Sequence, residues 1–274
     1  MFFELLWNEF TKFSEVEAIA LGGSRTGTHY DEKSDYDLYI YCTQIPKPAI
    51  RKQVLKKYCQ YMEIGNSFWE LEDDCTLKDG VDIDILYRSM EDFSQEIYSV
   101  VEKHIAQNGY TTCMWHNLLH SRILYDKNEK LTMLKNQYNI PYPDKLKDNI
   151  IEKNLRLLRG NLPSYDLQIK KAITRKDWVS LNHRIAAFLE SYFDIIFAIN
   201  KLTHPGEKRM VSYAREQARI LPDNFEENLY CLFQNLFTDS EKALRILTTI
   251  ISALENLIET IENKGTEGEV SQIP

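Results

Sequence analysis

Hydrophobic periodicity changes once along the chain, and that change decides what it can fold into. Before the breaker cluster IPYPDK (140–145), short alternating runs mix with helical stretches. VEAIAL (16–21) is a compact apolar run closed by Gly22 and Gly23. YDLYIYC (36–42) and VDIDILYRS (81–89) alternate in the manner of half-buried strands. PKPAIRKQVLKKYCQYM is expected to be a helix opened by prolines, SFWELEDDCTL an extended segment with an acidic turn, and MEDFSQEIYSVVEKHIA a helix whose first-turn acids suit its dipole. At the start, MFFELLWNEF reads as an amphipathic helix turning Phe3, Leu6, Phe10 and Phe13 inward. After the cluster the pattern becomes helical throughout, from KLKDNIIEKNLRLLRGNL to SEKALRILTTIISALENLIETIEN. The expectation is an α+β domain with a mixed sheet over 1–140, an all-α helical bundle over 141–264, and a mobile tail over 265–274.

Charge and cysteine content narrow the function classes. The net charge of −8 resides in the first half, where residues 1–130 hold 14 Lys and Arg against 22 Asp and Glu. A nucleic-acid binder needs basic surface to neutralise phosphates, so no nucleic-acid partner is expected. Attraction of metal ions or of a cationic substrate is compatible with this surface. Five cysteines without a C-x-x-C pair suggest neither a disulfide framework nor a zinc ribbon, and point to a reducing cytoplasm. No apolar run has the length of a membrane span, and the N-terminus lacks the basic region of a signal peptide. The sequence leaves the oligomeric state open.

The chemistry concentrates in LGGSRTGTHYDEKSDYDLYIYC (21–42). Asp35 and Asp37 are two apart on an expected strand, so their carboxylates emerge on one face, roughly 7 Å apart. Ahead of them, Gly22, Gly23 and Ser24 end an apolar strand. There, backbone N–H groups and a hydroxyl can meet phosphate oxygens without a Cβ in the way. A third strand brings Asp82 and Asp84 on one face, with Val81, Ile83 and Ile85 on the other. Mg²⁺ commonly binds through one or two carboxylates together with substrate phosphates. A solvated strand face would explain an isolated D-x-D, but not acids from neighbouring strands around a glycine turn.

Taken together, GGS, ten intervening residues, DYD on a strand and the later IDILY resemble the nucleotidyltransferase superfamily that includes DNA polymerase beta and the antibiotic nucleotidyltransferases. The likeness covers residues 15–90. Gly27 and Ser34 in the spacer make the longer segment similar to the bacterial antibiotic-modifying branch and its uncharacterised relatives, and FAINKLTHPGEKRM is similar to a segment of an uncharacterised bacterial group with a helical C-terminal domain. The resemblance implies that Asp35 and Asp37 bind Mg²⁺ bridging the triphosphate of an NTP, with ATP expected. Gly23 and Ser24 would contact the β- and γ-phosphates. Asp84 would complete the metal site and help remove the proton of the attacking hydroxyl, with Asp82 competing for this third position. Arg25, Ser34 and Lys208 join the expected nucleotide-binding set. Lys208 and Arg209 open a helix whose dipole opposes them, which suggests either an anion opposite or a solvated face. The implied activity is transfer of AMP from ATP to a hydroxyl of a small molecule, with an aminoglycoside-like antibiotic as a candidate acceptor. The alternatives are a toxin–antitoxin-type enzyme that adenylylates a protein, and a nucleotide-binding regulatory protein.

Other residues compete weakly. His116 and His120 share a helix face at i, i+4, but no Glu follows His116 in the H-E-x-x-H manner, so packing or surface roles are expected over zinc. His29 lies in the spacer. Glu190 and Asp194, also at i, i+4, are candidates for acceptor-binding carboxylates or a base, or else for a solvated face. The aromatic residues of FLESYFDIIFA (188–198) are expected to be core.

Overall fold

A computed structural model describes residues 2–26, 34–67 and 70–270, with side chains for all of these except Ser24 and 264–270. The spacer positions Gly27 and His29, the aromatic pair Phe68 and Trp69, and residues 271–274 lie outside the described residues. Two compact units are formed. One comprises the chain up to Lys103 together with Met114–Pro141, and the other His104–Cys113 together with the chain from Tyr142 onward.

In the first unit the elements run α1 (Phe2–Phe10), β1 (Val16–Gly22), a 3₁₀ turn (Ser24–Thr26), β2 (Tyr36–Cys42), α2 (Pro48–Tyr58), β3 (Cys59–Asn66), β4 (Glu72–Leu77), β5 (Asp82–Ser89) and α3 (Met90–Val101). They continue through α4 (Cys113–His120), β6 (Arg122–Asp126) and α5 (Lys130–Gln137). The strands form one sheet in the order β3-β4-β5-β2-β1-β6. β2 and β5 run parallel, and the other neighbours pair antiparallel. Ile19, Leu21, Leu38, Ile40, Ile83 and Ile85 build the core on one face, together with Phe3, Leu6 and Phe10 of α1 and Val54 and Leu55 of α2. Strand periodicity then sends Ala18, Ala20, Asp37, Tyr39, Tyr41, Asp84 and Arg88 to the opposite face. Phe13 lies beyond α1 and packs partly buried against the same core.

Two expectations change here. The helix expected to continue into CQYM stops at Tyr58, and the backbone becomes extended at Cys59 (φ −105°, ψ 145°). From there Met62 and Ile64 alternate toward the core, so the segment pairs with β4 as an edge strand. The acidic turn in ELEDDCTL is instead the body of β4. Glu72 and Asp74 are partly exposed, while Asp73 faces inward and is buried.

That inward aspartate is held by a complete set of donors. Arg51 Nη1 lies 2.8 Å from Asp73 Oδ1, and the two side chains are 2% and 0% exposed. Gly65 N–H donates to the same oxygen at 2.8 Å, and Tyr87 OH donates to Oδ2 at 3.0 Å. The Arg51 guanidinium also stacks 4.5 Å from the centre of the Tyr87 ring. Burial raises the Asp73 pKa and Arg51 opposes that rise. The network joins α2, β3, β4 and β5, and so fixes the outer strands behind the polar face.

The second unit contains α6 (Asp144–Leu158), α7 (Tyr165–Thr174), α8 (Trp178–Ile199), α9 (Met210–Gln217), α10 (Phe225–Asn235) and α11 (Ser240–Val270). α8 supplies the centre of its core through Ile185, Phe188, Tyr192, Phe193, Ile196 and Phe197, as the aromatic stripe led us to expect. α11 continues to Val270, past residue 265 where a tail was expected to begin. Among the described residues no helix is long and apolar enough to cross a membrane.

Removing Asp73 strands a buried guanidinium, so Asp73→Ala is expected to lower the unfolding free energy in urea by about 3–5 kcal/mol. The double change Arg51→Met with Asp73→Leu is expected to recover most of that loss. A single-variant effect below about 0.5 kcal/mol, the size of a surface substitution, would refute the role given to this pair.

Candidate active site

The glycine turn and the first strand aspartate are fitted to one another. Gly23 has φ +62°, a left-handed conformation that side chains disfavour, and a Cβ built there would lie 1.6 Å from Asp37 Oδ2. At Gly22 a Cβ would lie 2.1 Å from Cε2 of Tyr39. The two glycines therefore make room for two successive side chains on one face of β2. Beyond them the chain turns sharply, with the Thr26 N–H and hydroxyl both donating to the Gly23 carbonyl, at 3.2 and 2.8 Å.

Arg25 ties the two ends of the spacer. Its Nε donates to the carbonyls of Ser34 (2.7 Å) and Asp35 (3.2 Å), and its guanidinium lies 3.9 Å from the centre of the Tyr36 ring. Asp35, expected on the strand, immediately precedes it, since β2 begins at Tyr36. Its carbonyl is the one Arg25 holds.

Strand register sets Asp84 directly opposite Asp37, as Cα partners on the parallel pair β2 and β5. Asp82 is exposed, two residues earlier, and its Oδ1 accepts from Thr76 Oγ1 at 2.8 Å. The row of acids extends further than the sequence suggested. Asp74 of β4 is the Cα partner of Asp84, and Glu63 of β3 is the partner of Asp74. Asn66 Nδ2 donates to Asp74 Oδ2 at 2.8 Å. Beside this row the Glu72 carboxyl is pushed above its ordinary pKa, first by burial and then by the charges of Asp74, Asp84 and Glu70. Like charges directly opposite one another cost stability, so this face is electrostatically strained toward a cation.

Among the described residues no group of three or more His, Cys, Asp or Glu side chains is arranged to hold a metal ion. The pair Asp37 and Asp84 presents the hard oxygen donors Mg²⁺ takes, in the number it takes when phosphates and water complete its shell. The space above Gly23, which a Cβ would fill, holds the Asp37 carboxylate itself. The residues therefore fit a substrate-assisted Mg²⁺ site rather than an all-protein cage.

Several neighbours of this site were not singled out from the sequence. Arg88, on the same face of β5, forms a two-pronged bridge to Glu70, with Nε to Oε2 and Nη2 to Oε1 both 2.7 Å. Its Nη1 donates to Asn117 Oδ1 at 2.9 Å, and its guanidinium lies 4.2 Å from the centre of the Tyr39 ring. Alternation alone would have placed Tyr39 and Arg88 on the acidic face. Glu70 and Asn117 carry no such local signal.

Lys208 belongs to the second unit, exposed beside Arg209, whose φ of +59° precedes α9. Asp194 is neither a cleft carboxylate nor a solvated one. It is 1% exposed and accepts from Thr111 N–H (3.1 Å), Thr111 Oγ1 (2.7 Å) and Asn154 Nδ2 (3.2 Å), fastening the 104–113 segment to α6 and α8. Burial raises its pKa to about 7 despite those bonds. Glu190 is partly buried against Gly109, where a Cβ would lie 2.7 Å from Glu190 Cβ. His116 and His120 stack with ring centres 3.9 Å apart, and His120 Nδ1 lies 2.8 Å from the His116 carbonyl oxygen.

Fold and site thus define a mixed-sheet unit bearing a glycine turn and paired carboxylates, followed by a helical unit. Residues 111–210 match a domain of unknown function, DUF4037. Solved structures similar to the chain include a nucleotidyltransferase-like protein from Exiguobacterium sibiricum 255-15, at 12% identity and a TM-score of 0.43, covering 94% of this chain and 73% of that one. An aminoglycoside 6-adenyltransferase from Bacillus subtilis is also similar, at 13% identity and a TM-score of 0.26, covering 96% and 95% of the two chains. No curated protein matches the sequence.

Gly23→Ala is expected to cost about 1–3 kcal/mol from the left-handed backbone and to displace the Asp37 carboxylate; urea denaturation and a crystal structure of the variant check both. Wild-type stability with Asp37 unmoved would refute the fit. For Asp194, the folded pKa stands above its ordinary value of 3.8, so between there and about pH 7 the folded state holds a proton the unfolded chain has lost. Its contribution to stability is therefore greatest below pH 4, declines across that window, and levels off above it. Urea melts of wild type and Asp194→Asn should differ in slope across this range, and equal slopes would contradict the assignment.

Proposed function

We propose that the first unit is a Mg²⁺-dependent nucleotidyltransferase that moves a nucleoside monophosphate, AMP from ATP, to a hydroxyl of a small molecule. The observation that carries this reading is the seating of the Asp37 carboxylate in the space left by Gly23, with Asp84 in register beside it. Asp37 and Asp84, joined by Asp35 at the strand entrance, would hold the cation. When bound, Mg²⁺ offsets phosphate charge as it develops during transfer. The turn at residues 23–24 offers its backbone to the β- and γ-phosphates, and Arg25 keeps that turn and the strand entrance at a fixed separation. In the reaction the acceptor oxygen bonds to the α-phosphorus and pyrophosphate leaves. Asp84 is the group proposed to receive the hydroxyl proton. Glu63, Glu72 and Asp74 on neighbouring strands favour a cationic acceptor.

The test is incubation with Mg²⁺ and ATP labelled at the α-phosphate, with a panel of amine-bearing sugars and other small alcohols. Label is expected on a small molecule. Asp37→Asn is expected to lower transfer by about 100-fold or more, with an unchanged circular-dichroism spectrum. Wild-type turnover in that variant would refute the metal assignment, and label on a protein band would refute the small-molecule acceptor.

A further inference from the structure

Next to Asp37 on the sheet stands a side chain stack that the proposed chemistry does not use. Tyr39 follows Asp37 on the same face of β2, and its ring lies against the Gly22 backbone. On its other side stands the Arg88 guanidinium, 4.2 Å from the ring centre. Arg88 is 8% exposed, and its directions are fixed by the two-pronged bridge to Glu70 and by Asn117. Burial raises the Tyr39 pKa, the Arg88 charge lowers it and the Asp37 charge raises it. A guanidinium held by a planar carboxylate and stacked on an aromatic face has little freedom to move, and a lysine could not reproduce that arrangement.

We infer that Arg88, through Tyr39, is a positioning residue for Asp37: the stack clamps β2 against Gly22 so that the Asp37 carboxylate is held over Gly23 and opposite Asp84. This rests on the reading of Asp37 and Asp84 as cation ligands. Without the clamp, Asp37 keeps its identity and charge but loses its fixed direction. Supporting partners of this kind, when removed, typically weaken metal affinity by about 10–100-fold. The small residues Ala20 and Gly22 opposite Tyr39 and Asp37 on β1 leave the room that the clamp needs.

The experiment is Mn²⁺ binding followed by electron paramagnetic resonance, in the presence of a non-hydrolysable ATP analogue, with thermal melting of each variant measured in parallel. Arg88→Lys and Tyr39→Leu are expected to weaken Mn²⁺ binding by about tenfold, while Tyr39→Phe, which keeps the ring between Gly22 and Arg88, restores affinity to within about twofold of wild type. Tyr39→Leu strands no charge, so it serves if Arg88→Lys does not fold. Lowered melting temperatures with unaltered Mn²⁺ affinity in Arg88→Lys and Tyr39→Leu would overturn the positioning role and leave the site standing, provided Asp37→Asn abolishes binding. Absence of Mn²⁺ binding in wild type would overturn the site reading and the positioning role with it.

Discussion

The Asp37 carboxylate occupies the space a side chain at position 23 would need, and the rest of the polar face is organised around that fact. A glycine there is required twice, by its left-handed backbone and by the oxygen lying over its Cα. The same logic holds one residue earlier, where Gly22 admits the Tyr39 ring. Two adjacent glycines thus serve two side chains of the neighbouring strand.

Holding acids in register across β2, β5 and β4 works against stability, because each carboxylate meets another on the next strand. The sheet absorbs this from both faces. Behind it, the Arg51–Asp73–Tyr87 network locks β4 and β5 to α2 within the core. In front, the buried guanidinium of Arg88 balances Glu70 and braces Tyr39. Arginine suits both places because its planar fork can satisfy a carboxylate and stack on a ring at once.

Much of this was legible in the sequence wherever a single strand carried the information. Alternation in YDLYIYC and VDIDILYRS placed Asp37 and Asp84 on polar faces, and the glycines announced a turn. Alternation alone does not separate Asp82 from Asp84, because the register that sets Asp84 opposite Asp37 belongs to a parallel neighbour distant in sequence. β3 escaped because an edge strand with two inward apolar residues, Met62 and Ile64, has too little pattern to oppose a preceding helix. Asp73 escaped because a charge in the core is intelligible only with Arg51, 22 residues earlier, already in view. Asp194 looked like half of an exposed pair for the same reason. The partners that bury it, Thr111 and Asn154, stand 83 and 40 positions away.

The central claim is that a divalent cation and a triphosphate meet at Asp37, Asp84 and the glycine turn. The most direct measurement is anomalous diffraction from crystals grown with Mn²⁺ and a non-hydrolysable ATP analogue. The account predicts a manganese peak bridged by Asp37 and Asp84, with phosphate density against the backbone of residues 23–24. Manganese and nucleotide bound at some other place, with Asp37 still lying undisturbed over Gly23, would contradict it.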